Sequence, residues 1–272
     1  MDLGSAAGWH PRPASSPPPC RRRSTAAPRS VRWVADRAGA ANRRAPRYGS
    51  SVESIAFSFP VLGVPVRVTS SSLLYLALMM AIQVGTSLDG AAVAGALLFG
   101  VVIFVSVLIH ELGHAVSARR FGLQPREIIL HAFGGVCVFG RRPGPLAGVV
   151  TSFAGPLAGF VLAAVSFGGL LALEAAAPSG GLAGPRMLLN YFVLVNVFLS
   201  AFNLLPVHPL DGGAMLAHGL LAFLPPVRAW AAVYWTGMVV GIPAAVAAWM
   251  AGFRFMAILL AFTLFQNFQR RP

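Results

Sequence analysis

Long apolar runs alternate with short polar stretches along the chain from residue 54 onward. Several runs reach the ~20 residues that a helix needs to cross a hydrocarbon core about 30 Å thick. Their hydropathy predicts six membrane-spanning helices, at residues 73–86, 91–118, 146–173, 187–205, 229–250 and 255–268. We therefore expect an all-α polytopic membrane protein whose core occupies residues 53–272.

Two short stretches have the character of β-strands instead. The segment SFPVLGVPVRV surrounds Gly63 and Pro65 and predicts a small hairpin at the membrane surface. Between the second and third spans, the segment REIILHAFGGVCVFGRR places Gly134 and Gly135 among β-branched and aromatic residues, which predicts a second hairpin. Irregular backbone at membrane depth must lie against protein or a wet cavity, so we expect a cavity beside this hairpin.

The first 52 residues are rich in Arg, Ala, Pro and Ser and contain only two acidic residues, Asp2 and Asp36. Nothing in them is periodic, so we expect a disordered tail. They lack the apolar core of a secretory signal peptide. A cytosolic tail or a start assigned too far upstream explains them most simply, and an organelle transit peptide is the alternative.

The composition agrees with a membrane protein. Charged residues make up only 11% of the chain, whereas soluble domains carry roughly a quarter. The net charge is +13, but ten of the 21 basic residues lie in the first 50 positions, and all 21 are Arg. Because the basic excess lies in the tail, we expect no nucleic-acid binding by the core.

The loop arginines predict the orientation, because arginines near membrane ends favour the cytoplasm. If the N-terminus is inside, the outer loops contain only Arg186 and Arg254. The inner segments then contain Arg119, Arg120, Arg126, Arg141, Arg142, Arg228, Arg270 and Arg271. We expect both termini in the cytoplasm. The absence of Lys and the minimal core favour a bacterial inner membrane, and an organelle membrane is the alternative.

A polar patch interrupts the second predicted span. His110, Glu111 and His114 form the pattern H-E-x-x-H. Positions i and i+4 share a helix face, so both imidazoles can bind one metal ion, and Glu111 can act as a general base on metal-bound water. Two structural histidines are the alternative, but ionisable groups inside a span are costly and functional by default.

A catalytic zinc site needs a third protein ligand and one open position. Asp211, in the segment NLLPVHPLDGG, is the best candidate, because the other acidic residues lie in the tail, in outer loops or at the start of the hairpin. The second and fourth spans run in the same direction, which brings Asp211 to the side and depth of the histidines. Pro206 and Pro209 break the helix, and Gly212 and Gly213 permit a tight turn.

With HELGH followed about 90 residues later by FNLLPVHPLDGG, the chain resembles the site-2 protease family of intramembrane zinc metalloproteases. The likeness covers about residues 57–268 and includes FPVLGVPVRV, FGGV and AGPLAG. It implies that His110, His114 and Asp211 bind one Zn²⁺ per chain and that Glu111 activates water. It also implies, as partners, the lipid bilayer and single-span membrane proteins that are cleaved in their transmembrane segments, in regulated intramembrane proteolysis.

Four further residues are candidates for substrate binding or for support of the site. Asn196 and Asn203 match polar positions of the family's fourth span and lie seven residues apart, nearly on one helix face. Gly134 and Gly135 lie in a hairpin that offers a strand edge to an unwound substrate.

Four other positions are less informative. Family members often carry Asn where this chain has Gly159, and the pair Gly155 and Gly159 favours close helix packing instead. His208 and His131 are expected to be local polar residues rather than ligands.

The sequence leaves no room for a PDZ-like domain between the spans, and four residues follow Phe268. We therefore expect a minimal core without PDZ or C-terminal nucleotide-sensing domains, whose substrate choice depends on the substrate helix, the tail or an unidentified regulatory partner. One alternative is a membrane zinc peptidase acting on soluble peptides, although such enzymes usually use Glu as the third ligand. Another is a non-catalytic metal-binding protein or transporter, which should show internal repeats and several ionisable groups along a path.

Overall fold

The structure is a computed structural model that describes residues 54–85, 89–177 and 182–269. The predicted tail, and its boundary with the core, lie outside the described residues. The strands are β1 (Ile55–Val61), β2 (Val64–Thr69), β3 (Pro125–His131) and β4 (Gly134–Phe139). The helices are α1 (Ser70–Val84), α2 (Gly90–Arg120), α3 (Pro145–Ala176), α4 (Ala183–Asn203), α5 (Asp211–Leu220), α6 (Pro226–Met250) and α7 (Arg254–Gln269).

Each of the six predicted spans corresponds to a helix. Among the described residues, four helices are long and apolar enough to cross a membrane, namely α2, α3, α4 and α6. Helices α1 and α7 contain only 15 and 16 residues, so the prediction of six spans is not confirmed. The ten-residue helix α5 was not predicted, because it is too short to stand out in a hydropathy profile.

Both predicted hairpins are present, but they form one sheet of order β1-β2-β3-β4. Strands β2 and β3 pair in parallel, with Val66 opposite Ile128 and Val68 opposite Leu130. The buried valines of β2 and the buried residues of β3 pack together with Ala115 of α2. The sheet therefore lies against the helix that carries the H-E-x-x-H pattern.

Helix α2 is held at both ends. At its start, the Asp89 carboxylate accepts a hydrogen bond from the Ala92 backbone N–H at 2.7 Å, which satisfies a free N-terminal donor. At its end, Arg119 and Arg120 lie in the last turn, where positive charge is favourable. The Arg119 guanidinium also donates to the Leu62 carbonyl in the β1–β2 turn, which ties the helix to the sheet.

The chain turns sharply between α4 and α5, and two glycines allow it. A Cβ on Gly212 would lie 2.2 Å from the Leu204 carbonyl oxygen, and a Cβ on Gly213 would lie 2.6 Å from the His208 nitrogen. Only glycine permits backbone to approach backbone this closely. The turn brings Asp211, the first residue of α5, back toward α2.

Candidate metal centre

Helix α2 buries three ionisable side chains within two turns. His110, Glu111 and His114 are only 4%, 4% and 7% exposed. One potential ligand atom from each lies within 4.8 Å of the others. Such burial is costly unless each group finds a partner, so this cluster requires a compensating charge or ion.

Asp211 supplies a partner from α5. Its Oδ2 lies 2.9 Å from His110 Nε2, and its Oδ1 lies 3.3 Å from His114 Nε2. The two imidazole Nε2 atoms are themselves 3.3 Å apart. The two histidines and the aspartate, which the sequence predicted as a ligand set, therefore converge at one point.

The orientation of His114 leaves Nε2 available as a ligand. Its Nδ1 lies 2.7 Å from the Thr151 carbonyl oxygen of α3. A carbonyl oxygen only accepts, so Nδ1 carries the proton and donates it. In a neutral imidazole the lone pair is then on Nε2, which faces His110 and Asp211, as in metal sites whose histidines donate to a backbone carbonyl.

The spacing of these donor atoms fits a zinc ion. Zinc takes nitrogen and oxygen ligands at about 2.0–2.2 Å in a tetrahedral arrangement, which separates the ligand atoms by about 3.3 Å. The distances of 2.9 and 3.3 Å among His110, His114 and Asp211 are close to that value. Two imidazoles and one carboxylate also form a donor set typical of zinc and of other divalent ions.

Helix α3 forms the floor of the centre. A Cβ on Gly155 would lie 2.3 Å from His114 Nε2 and 2.8 Å from His110 Nε2. A Cβ on Gly113 would lie 2.4 Å from the Ala154 carbonyl oxygen. The two helices can therefore approach closely, and the imidazoles lie directly over the Gly155 backbone.

We predict that Gly155→Ala lowers metal affinity by at least about tenfold, since changes that merely disturb ligand orientation cost about 10–100-fold. The added methyl group would displace one or both imidazoles. The measurement is zinc content of the purified protein during titration with a competing chelator. The control is Gly168→Ala on the same helix, where a Cβ meets nothing within 4 Å; equal zinc retention by both variants would contradict the prediction.

Strand β4 holds Glu111 in place. A Cβ on Gly135 would lie 2.3 Å from Glu111 Cγ and 2.6 Å from its Oε1, so the backbone of the strand lies directly against this side chain. Burial, and then the charge of Glu111, raise the pKa of the Cys137 thiol to about 12. The thiol is therefore uncharged at neutral pH.

The remaining predicted residues lie around the centre. Asn196 is fully buried and donates to Ser106 Oγ of α2 at 2.8 Å, one turn before His110. Asn203 donates within its own helix, to the Leu199 carbonyl. Gly134 lies at the hairpin turn with a φ of 124°, a conformation that favours glycine.

The two other histidines have local contacts. The His131 Nδ1 accepts from the Phe133 backbone N–H in the hairpin turn, and the His208 ring lies edge-on to Trp230. Neither belongs to the cluster of His110, Glu111 and His114.

Gly159 provides space for a side chain of α4. A Cβ there would lie 2.2 Å from Ser200 Oγ and 3.6 Å from Asn196 Oδ1. The Ser200 hydroxyl thus occupies the volume that a side chain at position 159 would need. The close packing of α3 predicted from Gly155 and Gly159 is present, with Gly155 against the imidazoles and Gly159 against α4.

Two supporting groups were not predicted from the sequence. The Thr151 carbonyl orients His114, but a backbone acceptor leaves no signature in the residue type. Ser106 lies one turn before His110 on α2, and its i, i+4 spacing from that histidine was the one available signal.

Known proteins resemble this chain in sequence and in fold. The model of Peptidase family M50 matches residues 98–182 and 175–244, which together span more than half of the chain. A zinc metalloprotease of Methanocaldococcus jannaschii is 32% identical over 160 residues, 58% of this chain and 43% of that protein. Rip3 of Mycobacterium tuberculosis is 38% identical over 120 residues, 43% of this chain and 29% of that protein.

The aligned region thus spans less than half the length of either relative. Among solved structures, a site-2 protease from Methanocaldococcus jannaschii has a similar fold, with a TM-score of 0.57 and 22% identity. The similarity covers 79% of this chain and 96% of that one.

Proposed function

This chain belongs to peptidase family M50, and we propose that it is a zinc endopeptidase that cleaves membrane-anchored proteins within their transmembrane segments. The four long apolar helices among its described residues, together with its family, make it an integral membrane protein. The observation that most supports the proposal is the convergence of Asp211 with His110 and His114 beside the buried Glu111.

In this proposal His110, His114 and Asp211 hold the Zn²⁺ ion. When bound, the ion supplies Lewis-acid chemistry, which polarises the scissile carbonyl and lowers the pKa of water. The Thr151 carbonyl keeps His114 in the tautomer that presents Nε2, and Gly155 leaves the space in which both imidazoles lie.

Glu111 is the proposed general base and acid. Its carboxylate takes a proton from the attacking water and returns one to the leaving amine nitrogen. The Gly135 backbone restricts the orientation of that carboxylate. Helix α2 and the sheet surround Glu111, and the low exposure of the three residues excludes bulk water from the proton transfer.

The free edge of β4 is the proposed docking edge for the substrate. A transmembrane helix hides its carbonyls in internal hydrogen bonds, so the substrate must unwind and bind extended. The turn of this hairpin contains two residues, so its closing pair, His131 and Gly134, is a hydrogen-bonded pair. Hydrogen-bonded and non-hydrogen-bonded pairs alternate along antiparallel strands, so the backbone N–H and C=O groups of Gly135 and Cys137 point away from β3. An added strand would bring a peptide bond beside Glu111.

We predict that Cys137→Pro slows cleavage by about tenfold or more while zinc remains bound. Proline removes an outward N–H but no bond to β3, and it is tolerated on edge strands. Losing one positioning contact can cost about a hundredfold in rate. Cys137→Ala, which keeps the N–H, is the matched control; an unchanged rate in the proline variant would argue against strand addition.

The direct test of the proposed function uses the full chain reconstituted in liposomes with a single-span membrane protein. We expect cleavage that stops when a chelator removes zinc and returns when zinc is restored. Mass spectrometry of the products should locate the cut within the apolar segment. A cut confined to soluble regions would instead support the peptidase of soluble peptides.

A non-catalytic metal-binding protein or transporter has less support. Metal binding alone needs no Glu111 held by a strand, and a transport path needs ionisable groups along its length. In the described part of the chain, the metal-ligand cluster is confined to His110, Glu111 and His114 with Asp211.

We also propose the orientation predicted from the arginines, with both termini cytoplasmic, and a bacterial inner membrane. A reporter that is active only in the cytoplasm, fused at either terminus or inserted in the α2–α3 segment or the α6–α7 turn, tests this topology. Activity is expected at both termini and in the α2–α3 segment, and no activity at the α6–α7 turn; the reverse pattern would invert the orientation.

A further inference from the structure

A shallow apolar groove runs along the surface where α6 packs on α7. Its volume is about 300 Å³. Its lining is entirely apolar, with small alanines leaving the space, and consists of Ala245, Val246, Trp249, Ala257, Ile258 and Ala261. Neither helix contributes to the candidate metal centre, so the groove is a separate feature.

A positive charge lies at one end of this groove. Arg254 begins α7, and its guanidinium lies 6.0 Å from the centre of the Trp249 ring. The side chain is exposed, the first turn of α7 holds no acidic residue, and no carboxylate within residues 54–85, 89–177 and 182–269 pairs with it. The N-terminus of α7 adds partial positive charge at the same place.

The surroundings of Arg254 match a membrane interface. Trp249, Met250, Phe253 and Phe255 are 56%, 80%, 63% and 43% exposed. Tryptophan concentrates at headgroup depth, next to arginines that reach toward the polar layer. With α6 placed across a bilayer, Trp249 and Arg254 would put the charged end of the groove at the headgroups and its apolar part in the hydrocarbon.

We propose that this groove binds one anionic phospholipid, with the phosphate at Arg254 and an acyl chain between α6 and α7. The apolar lining offers no backbone partner to a peptide but matches an acyl chain. The uncompensated arginine favours a headgroup with net negative charge over a zwitterionic headgroup, whose own cation offsets its phosphate.

Helix α7, which forms one side of the groove, also contacts the β3–β4 hairpin that lies against Glu111. Phe262, next to Ala261 on α7, stacks on Phe133 of the β3–β4 turn with ring centres 4.3 Å apart. A lipid bound in the groove adds contacts that hold α7 against α6, and α7 in turn supports the hairpin.

The test is native mass spectrometry of the full chain purified in mild detergent with equal amounts of dioleoyl-phosphatidylglycerol and dioleoyl-phosphatidylcholine. We expect the wild type to retain phosphatidylglycerol about fivefold more than phosphatidylcholine, the preference one arginine near a membrane surface provides. Arg254→Gln should abolish the preference. Ala261→Leu, which fills the groove at an exposed position, should reduce retention of both lipids.

Matched controls separate the groove from general effects. Arg186→Gln changes an arginine whose guanidinium is bonded to the Ala177 carbonyl, and Ala247→Leu enlarges an exposed α6 residue outside the groove; neither should alter lipid retention. Equal retention of the two lipids by the wild type would overturn the proposal, as would an Arg254→Gln variant that behaves like the wild type. Loss of preference in Arg186→Gln would overturn it as well, and none of these outcomes depends on protease activity.

Discussion

Glu111→Gln is expected to lower cleavage of a single-span substrate by about 10³-fold or more while zinc content stays unchanged. General acid–base catalysis raises reaction rates by about 10²–10⁴-fold. Here one carboxylate is proposed both to accept the proton from water and to return a proton to the leaving amine. Glutamine preserves the shape of the side chain beside Gly135 but cannot accept the proton. The measurement is the single-turnover rate in liposomes together with metal analysis of the same preparation.

The control for this variant is Glu127→Gln. Glu127 pairs with Arg67 at 3.1 Å within the sheet, so the change neutralises a carboxylate of the same type outside the centre. Its rate should stay within a few-fold of the wild type, because surface ion pairs contribute at most about 1 kcal/mol. A Glu111→Gln enzyme that retains zinc and still cleaves at the wild-type rate would refute the protease assignment.

Asp211→Ala is expected to weaken zinc binding by more than about 100-fold, because losing groups that only orient a ligand already costs about 10–100-fold. The change removes both carboxylate oxygens, which lie 2.9 and 3.3 Å from the two imidazoles. The measurement is competition with a chelator of known zinc affinity. Cleavage should fall in parallel with the loss of metal.

Asp89→Ala is the matched control, since Asp89 caps the start of α2 far along the chain from the motif. Its loss should cost about 1 kcal/mol of stability without changing zinc affinity. If Asp211→Ala keeps tight zinc binding, another side chain must complete the ligand set, and the role proposed for Asp211 is wrong.

Local patterns carried most of what the sequence predicted correctly. The helices were visible as apolar runs, because a helix that is surrounded by lipid or protein needs apolar side chains on all of its turns. The pairing of His110 with His114 depends only on the geometry of one helix. Asp211 required one further step, the common direction of two spans, and it lies beside both imidazoles in the structure.

Contacts between segments far apart in the chain could not be predicted from the sequence pattern. The parallel pairing of β2 with β3 joins segments about 60 residues apart, and no turn signals it. Helix α5 is short, and its position depends on the close approach of Gly212 to Leu204. Helices α1 and α7 are short, so in the described part of the chain four helices are long enough to cross a membrane, and the prediction of six spans is not confirmed.

By itself, the sequence determined the residue types, the helical spacing of the two histidines and the presence of one remote aspartate at a helix break. These features can be read from hydropathy and from helical periodicity, which depend only on residues within a few helical turns of one another. Only the tertiary structure decided that Gly155 lies beneath the imidazoles, that the Thr151 carbonyl orients His114, and that Gly135 contacts Glu111. Those contacts depend on how closely separate elements approach, which is set by packing among distant segments.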